Sequence, residues 1–238
     1  FIAMPKNNIK NINQVFANCD IEIERLISST FSIGVKLLNN IQLKYGSAII
    51  DIGFEKTSLG LFKDFALVHS ITFPIGSNHL TKDIAKVCSL TLKESENIRN
   101  NIDFSFSNTQ ELFDENNYLK KIYFNSTSYR KISKSLILNI VQSRIDEIFE
   151  IIKKQILTTD INITSEYNII LVGGGSNLLN IEKLCSNYFE SNIKKVNKIA
   201  KNDDPSILDE NFISCLGAIK IIKDGWETEA IPEPIRSN

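Results

Sequence analysis

The sequence predicts an α/β protein, and two features carry that prediction. Three short β-type runs follow one another closely at 47–52, 57–62 and 66–73, and a distant apolar run at 169–172 ends on Gly173, Gly174 and Gly175 ahead of a helical pattern. The chain has 238 residues and only ten glycines, so three in a row mark a place where backbone conformation or close approach is at stake. A strand that ends in a glycine turn and feeds a helix presents unpaired N–H groups and a positive helix end. That arrangement suits a phosphate or a nucleoside, and a nucleotide site is expected there.

The elements follow in order. Ile9, Ile12, Val15 and Phe16 give 9–17 a helical spacing, 21–27 reads as a strand, and 32–38 reads as a second helix. The period then shortens to two, with polar connections at 54–56 and 63–64, which predicts an antiparallel meander. Helices follow over 78–88 and 93–101, the second opened by Thr91 with Glu94 three residues on, a capping-box spacing. The stretch 103–130 is rich in Asn, Ser and aromatic residues and shows only short β-like pieces such as 121–124. From 132 to 156 the apolar positions recur at helical steps, among them Ile137, Val141, Ile145, Ile148 and Ile152, predicting a long helix whose apolar face packs on the domain. Strand 168–172 and the glycine turn lead to a helix at 177–189, a strand at 193–199 and a last helix at 210–223. Pro232 and Pro234 stand among charges in 225–238, which reads as a flexible tail.

Hydrophobic residues make up 42% of the chain and charged ones 23%, which fits one large globular domain or two small ones. Lys and Arg number 27 against 28 Asp and Glu, so no overall field favours nucleic acid or an anionic membrane. Cys19, Cys88, Cys185 and Cys215 lie far apart, and His69 and His79 are the two histidines, so reduced thiols are expected rather than a zinc site or disulfide framework. His69, within a strand pattern, and His79, near a helix start, read as structural residues with satisfied ring nitrogens. No run reaches the roughly 18–20 apolar residues of a membrane span, and the start lacks a secretory signal layout. The chain opens on Phe1, from which upstream residues are expected.

Asp51-Ile52-Gly53 at a strand end, the hairpin after it and the later strand with its glycine triplet are together similar to the actin and heat-shock-chaperone ATPase superfamily. Three stretches narrow the resemblance to the bacterial cell-division FtsA family. Gly76 to Ala85, with Thr81, Asp83 and Ile84, resembles that family's G-x-x-x-x-T-x-D-I/L-A stretch. Ser95-Glu96-Asn97-Ile98-Arg99 resembles its adenosine-contacting helix, and Ile170 to Ile181 resembles its adenosine loop. The resemblance implies an α/β actin-like ATPase (ribonuclease H-like) fold, with a mixed sheet, flanking helices and an inserted smaller subdomain. By this likeness 1–44 ends a first actin-like subdomain. Residues 45–224 form the second domain, with core 45–102 and 160–224 and an insertion at about 103–159. A first phosphate loop and a further subdomain would lie upstream.

The resemblance also assigns candidate residues. Asp51, Gly53 and Thr57 belong to the turn that would face the phosphates, with Asp51 holding Mg through water. Glu96 and Arg99, three apart on one helix face, would reach the ribose and adenine edge. Gly173, Gly174 and Gly175 would approach the nucleotide, as would Gly217 of the last helix. Each has a plain alternative: a strand entering a hairpin, a solvated ion pair, a strand-to-helix turn, or close helix packing. The family's phosphate pattern breaks after Gly53. Phe54 and Glu55 stand where glycines are expected, Lys56 replaces a threonine and Ser58 an aspartate. A carboxylate at Glu55 would repel a triphosphate, more strongly as the pocket dries. Arg144 and Glu147, on the polar side of the long helix, mark a candidate partner surface or a solvated face.

The reading that follows is a divergent FtsA-like scaffold of cell division. It would bind ATP and Mg, polymerise, and link the FtsZ ring to the inner face of the cytoplasmic membrane at the division site. The membrane would be reached through an amphipathic segment that 225–238 does not supply, and no nucleic-acid partner is expected. No general base is readable, so hydrolysis would be slow at most. An actin-like ATPase of pilus-assembly or chaperone type and a degenerate interaction module without nucleotide are the alternatives.

Overall fold

The computed structural model describes residues 5–104, 111–159, 168–196 and 210–224. The elements are α1 (Lys6–Ala17), α2 (Ser29–Leu37), α3 (Asn40–Tyr45), β1 (Ser47–Ile52), β2 (Thr57–Lys63), β3 (Ala66–Phe73), α4 (Ser77–Cys88), α5 (Leu92–Asn101), α6 (Lys134–Leu157), β4 (Asn168–Val172), α7 (Ile181–Phe189), β5 (Asn192–Lys195) and α8 (Ile213–Asp224). The strands form a mixed sheet in the order β3-β2-β1-β4-β5. The meander β1-β2-β3 is antiparallel, whereas β4 joins β1 in parallel and β5 joins β4 in parallel. This is the fold class read from the sequence, and the meander, β4 and the long helix stand within a residue or two of their expected bounds.

The two-residue period of the strands divides the core into two layers. Ala48, Ile50 and Ile52 of β1 join Ile169 and Leu171 of β4 in a cluster with α4, α5, α6 and α7. Ile49, Ile170 and Val172 point the other way and meet α2, α3 and the start of α8. Helices on both faces and parallel central strands explain why β1 and β4 are apolar at nearly every position. Each fully buried Ile or Leu contributes roughly 1.5–3 kcal/mol.

Expectation and structure part in several places. The strand expected at 21–27 is not formed, and the segment is mostly exposed. Local β propensity cannot act without a partner edge. Residues 121–123 form a 3-10 turn rather than a β piece. An unread helix, α3, carries a capping box between Asn39 and Gln42. Its terminal carbonyls, Leu43 O and Lys44 O, accept from the amides of Phe65 and Asp64 in the β2–β3 turn, at 2.9 and 3.1 Å. Both turn residues have positive φ, the shape a two-residue hairpin demands. The Nε2 of His69 is buried without a hydrogen-bond partner, against the satisfied histidine expected. The tail at 225–238 and the extension of β5 beyond 196 lie outside the described residues.

Two side-chain networks tie the 111–159 region to the sheet layer. Glu94, 1% exposed, accepts from the amides of Ser126 and Thr127 at 2.7 and 3.0 Å while capping α5 through Thr91. Burial alone would raise its pKa, but these amides and hydroxyls outweigh that and bring it down to about 2. Arg144 of α6 grips Asp83 of α4 in a two-pronged pair, at 2.6 and 3.0 Å, and also meets Glu147. The Arg144 guanidinium, read from the sequence as a candidate partner surface or a solvated face, is thus paired with Asp83, while Glu147 remains half-exposed.

Candidate functional site

β1, β4 and β5 run parallel, so their carboxyl ends open on one edge of the sheet, the place where α/β sheets bind ligands. The turn after β1 and the glycine turn after β4 meet there. Asp51 is in register with Val172, and a Cβ on Gly173 would lie 2.3 Å from Asp51 Oδ1 and 2.6 Å from Ile52 O. Gly173 also has φ 83°, which favours glycine. A Cβ on Gly175 would come 2.3 Å from the Ile52 side chain. These two glycines are therefore required by the packing of the protein on itself.

Gly174 is different. Its φ is not in the left-handed region, and a Cβ there would meet nothing within 4 Å. Two cavities border it. One, of about 180 Å³, includes Asp51, Gly173, Ser176, Asn177 and Ser214. The other, of about 220 Å³, lies beside α5 and includes Ser77, Arg99, Asn100 and Asn177. Gly174 and Asn177 thus form the shared wall of a polar groove along the sheet edge.

The turn does not feed an α-helix directly. A 3-10 turn occupies Gly174–Asn177, Asn180 takes a left-handed conformation with φ 60°, and α7 starts at Ile181. This corrects the expected helix at 177–189. The α-helical end sits several residues from the triplet, so any attraction there comes from individual peptide groups rather than from a helix terminus.

Arg99 is 8% exposed on α5, with its guanidinium donating to Ser77 O at 3.3 Å, Thr81 Oγ1 at 3.0 Å and Asn100 Oδ1 at 3.0 Å. It also pairs with Glu96 at 3.3 Å, and Glu96 stays half-exposed at the rim. Burial pushes the Arg99 pKa down, partly offset by Glu96. Arg99 lines the same cavity as Gly174, whereas Glu96 lines neither cavity. Asp51 borders the first cavity, and its pKa is raised by burial, with Lys56 acting in the opposite sense.

Thr57 and Gly217 are placed differently. Thr57 is buried, and its hydroxyl donates to Ile75 O at 2.7 Å, pinning the loop that enters α4. A Cβ on Gly217 would lie 1.9 Å from Ser32 O, so this glycine lets α8 cross α2. Neither lines the two cavities. Ser77, Asn100, Asn177 and Ser214 line them without having been singled out in the sequence. Small polar residues at a helix start or after a glycine turn carry no signal until the fold gathers them.

The turn at 53–56 departs from an open glycine cradle. The Gly53 amide donates to Lys56 O at 2.8 Å, and the amides of Ser77 and Asn78 donate to Gly53 O and Phe54 O at 2.9 and 2.8 Å. Glu55 bonds Asn78 Nδ2 at 2.6 Å and Lys82 Nζ at 2.9 Å, and these contacts lower its pKa. Phe54 is 58% exposed. The Glu55 carboxylate therefore lies against α4 and its charge is met by Lys82, with His79 Nδ1 3.9 Å away.

Comparison with known proteins matches this chain to the family model for cell division protein FtsA over residues 48–217. The chain is 24% identical over 185 residues to the cell division protein FtsA of Helicobacter pylori, covering 77% of this chain and 38% of that protein. It is 20% identical over 219 residues to the FtsA of Bacillus subtilis, covering 92% and 48%. The chain therefore spans less than half the length of these relatives. Among solved structures, MreB 5 of Spiroplasma citri bound to AMPPNP superposes with a TM-score of 0.70 at 19% identity, covering 95% of this chain and 68% of that one. The PilM-PilN type IV pilus biogenesis complex gives 0.59 at 16% identity, covering 88% and 56%. These likenesses show an actin-like fold. With the glycine turn, the α5 helix and the meander all inside the matched region, the chain belongs to the FtsA family of cell-division proteins.

Proposed function

We propose that this protein is an actin-like scaffold of cell division that holds an adenine nucleotide at the sheet edge around Gly174. The observation that carries the reading is Gly174 itself. Neither backbone conformation nor any neighbour among the described residues requires a glycine there, yet it lines both cavities. Close approach of a ligand to the backbone supplies the missing reason. The MreB 5 structure, of the same fold, was solved with AMPPNP, which supports the nucleotide reading.

In this reading the nucleoside lies beside Arg99, Ser77 and Asn100, with Glu96 at the rim, and the tail crosses Gly174 toward Asp51. Magnesium, where bound, would be held by Asp51 through water together with phosphate oxygens; no cluster of three metal-ligating side chains exists among the described residues. The metal would neutralise phosphate charge. Slow turnover at most is expected, since the sequence offers no readable general base. Partition into 1–44, a core of 45–102 with 160–224, and an insertion near 103–159 belongs to the same proposal. So do self-association, a tubulin-like ring protein as partner, and membrane tethering through a segment other than those described. Among the described residues no helix is long and apolar enough to cross a membrane.

Calorimetric titration with Mg-ATP tests the nucleotide site. A binding isotherm that weakens at least about tenfold in Gly174→Ala supports it, and a flat trace for the unmodified chain refutes it. Co-sedimentation with FtsZ tests the scaffold role separately; failure to co-sediment where a standard homologue does would count against it.

A further inference from the structure

We infer that this site reads the nucleoside end of its ligand and gives the phosphate tail little hold, because the 53–56 turn is closed onto α4. The inference rests on the nucleotide reading above. A tail that crosses Gly174 arrives at the carboxyl end of β1, since Asp51 and Gly173 border the same cavity. Backbone amides there are the natural donors for an anion, and three of them are already engaged. Gly53 donates within its own turn, and the first two amides of α4, Ser77 and Asn78, donate to the carbonyls of Gly53 and Phe54. An exposed helix start would otherwise offer those groups to a phosphate.

The protein also supplies its own anion at the start of α4. The Glu55 carboxylate accepts from Asn78 Nδ2 and from Lys82 Nζ, and it lies 3.9 Å from His79. These are the side chains that a phosphate at the start of α4 would need. The described lining of the two cavities adds no spare cation. Arg99 is committed to Ser77, Thr81, Glu96 and Asn100, and Asp51 brings a negative charge on which Lys56 already acts. Packing reinforces the closure: a Cβ on Gly76 would lie 2.6 Å from both Gly53 O and Phe54 O, so turn and helix start are in tight contact.

The test is titration of the 238-residue chain with adenosine, ADP and ATP, each with and without magnesium. The expected result is affinities that agree within about threefold, with magnesium shifting none of them by more. ATP binding more than about tenfold tighter than adenosine overturns this inference while leaving the nucleotide site standing. If none of the three binds, the nucleotide reading falls and takes this one with it. Opening the turn gives a second arm. In the double variant Phe54→Gly, Glu55→Gly, ATP should gain at least about tenfold over adenosine while adenosine itself is unchanged. Equal changes for both ligands would show that the closed turn is not what denies the phosphates. Both side chains are exposed, and Glu55→Gln offers a milder replacement that keeps the shape and removes the charge.

Discussion

The turn after β1 and the turn after β4 lie side by side on one sheet edge, yet one is closed on itself while the other is held open. In the first, every contact that can be named is inward: Gly53 to Lys56, Glu55 to Lys82 and Asn78, and the helix amides to the turn carbonyls. In the second, Gly173 and Gly175 press against Asp51 and Ile52, and the glycine between them faces two cavities. The difference teaches that a glycine-rich or aspartate-tipped turn at the carboxyl end of a strand is not by itself a phosphate cradle. What matters is whether its amides remain unclaimed once the neighbouring helix has docked.

The comparison can be broken most forcefully at Gly173. An alanine there combines a strained backbone with contact against Asp51 and Ile52, and should cost roughly 2–4 kcal/mol of stability in chemical denaturation. A loss below about 1 kcal/mol would mean the turn relaxes freely and is not rigidly seated. Glu94 provides a reference for a fully satisfied polar group away from both turns. Glu94→Gln should cost roughly 1–3 kcal/mol, because one acceptor oxygen becomes a donor facing other donors. Its folded pKa of about 2 lies below the ordinary 4.5, so the unfolded chain binds more protons in that interval. The stabilisation is complete above about 4.5 and fades as pH falls toward about 2, a slope that Glu94→Gln should remove from an acid-unfolding profile.

A smaller effect on stability, within about 0.5 kcal/mol, is expected for Gly174→Ala, since the new methyl meets nothing within 4 Å among the described residues. Pairing this variant with Gly173→Ala in one denaturation series separates a glycine kept for the fold from one kept for a ligand. The smallest change is expected for Glu55→Gln. Without the full charge pair to Lys82, the amides of Ser77 and Asn78 should exchange with solvent faster, while amides of β4 keep their rates. Unchanged exchange at Ser77 and Asn78 would show that backbone hydrogen bonds alone close the turn.

Much of this architecture was legible before any coordinates. The alternation in 47–73, the apolar run before the glycines and the heptad-like spacing of 132–156 each encode a local period, and burial then acts on whole faces at once. The strand expected at 21–27 is not formed because β propensity depends on packing and pairing, and this segment is mostly exposed. At the site, the sequence singled out Asp51, Arg99, Gly173 and Gly174, which line the two cavities, and Gly175, which packs on Ile52 instead. Thr57 and Gly217 were drawn by the same resemblance, but one pins a loop and the other permits a helix crossing.

The order of residues by itself determined the family, the layered α/β plan and the location of the glycine turn, because these depend on patterns spanning a few neighbours or one matched stretch. Which amides stay available was decided in three dimensions. Gly53 and the start of α4 are more than twenty positions apart, and only their docking reveals that Phe54 O, Glu55 and Asn78 satisfy one another. Hydrogen-bond demand is settled by proximity in space, so a turn can carry the residues of a binding loop and still have part of its donor set claimed by a neighbouring helix.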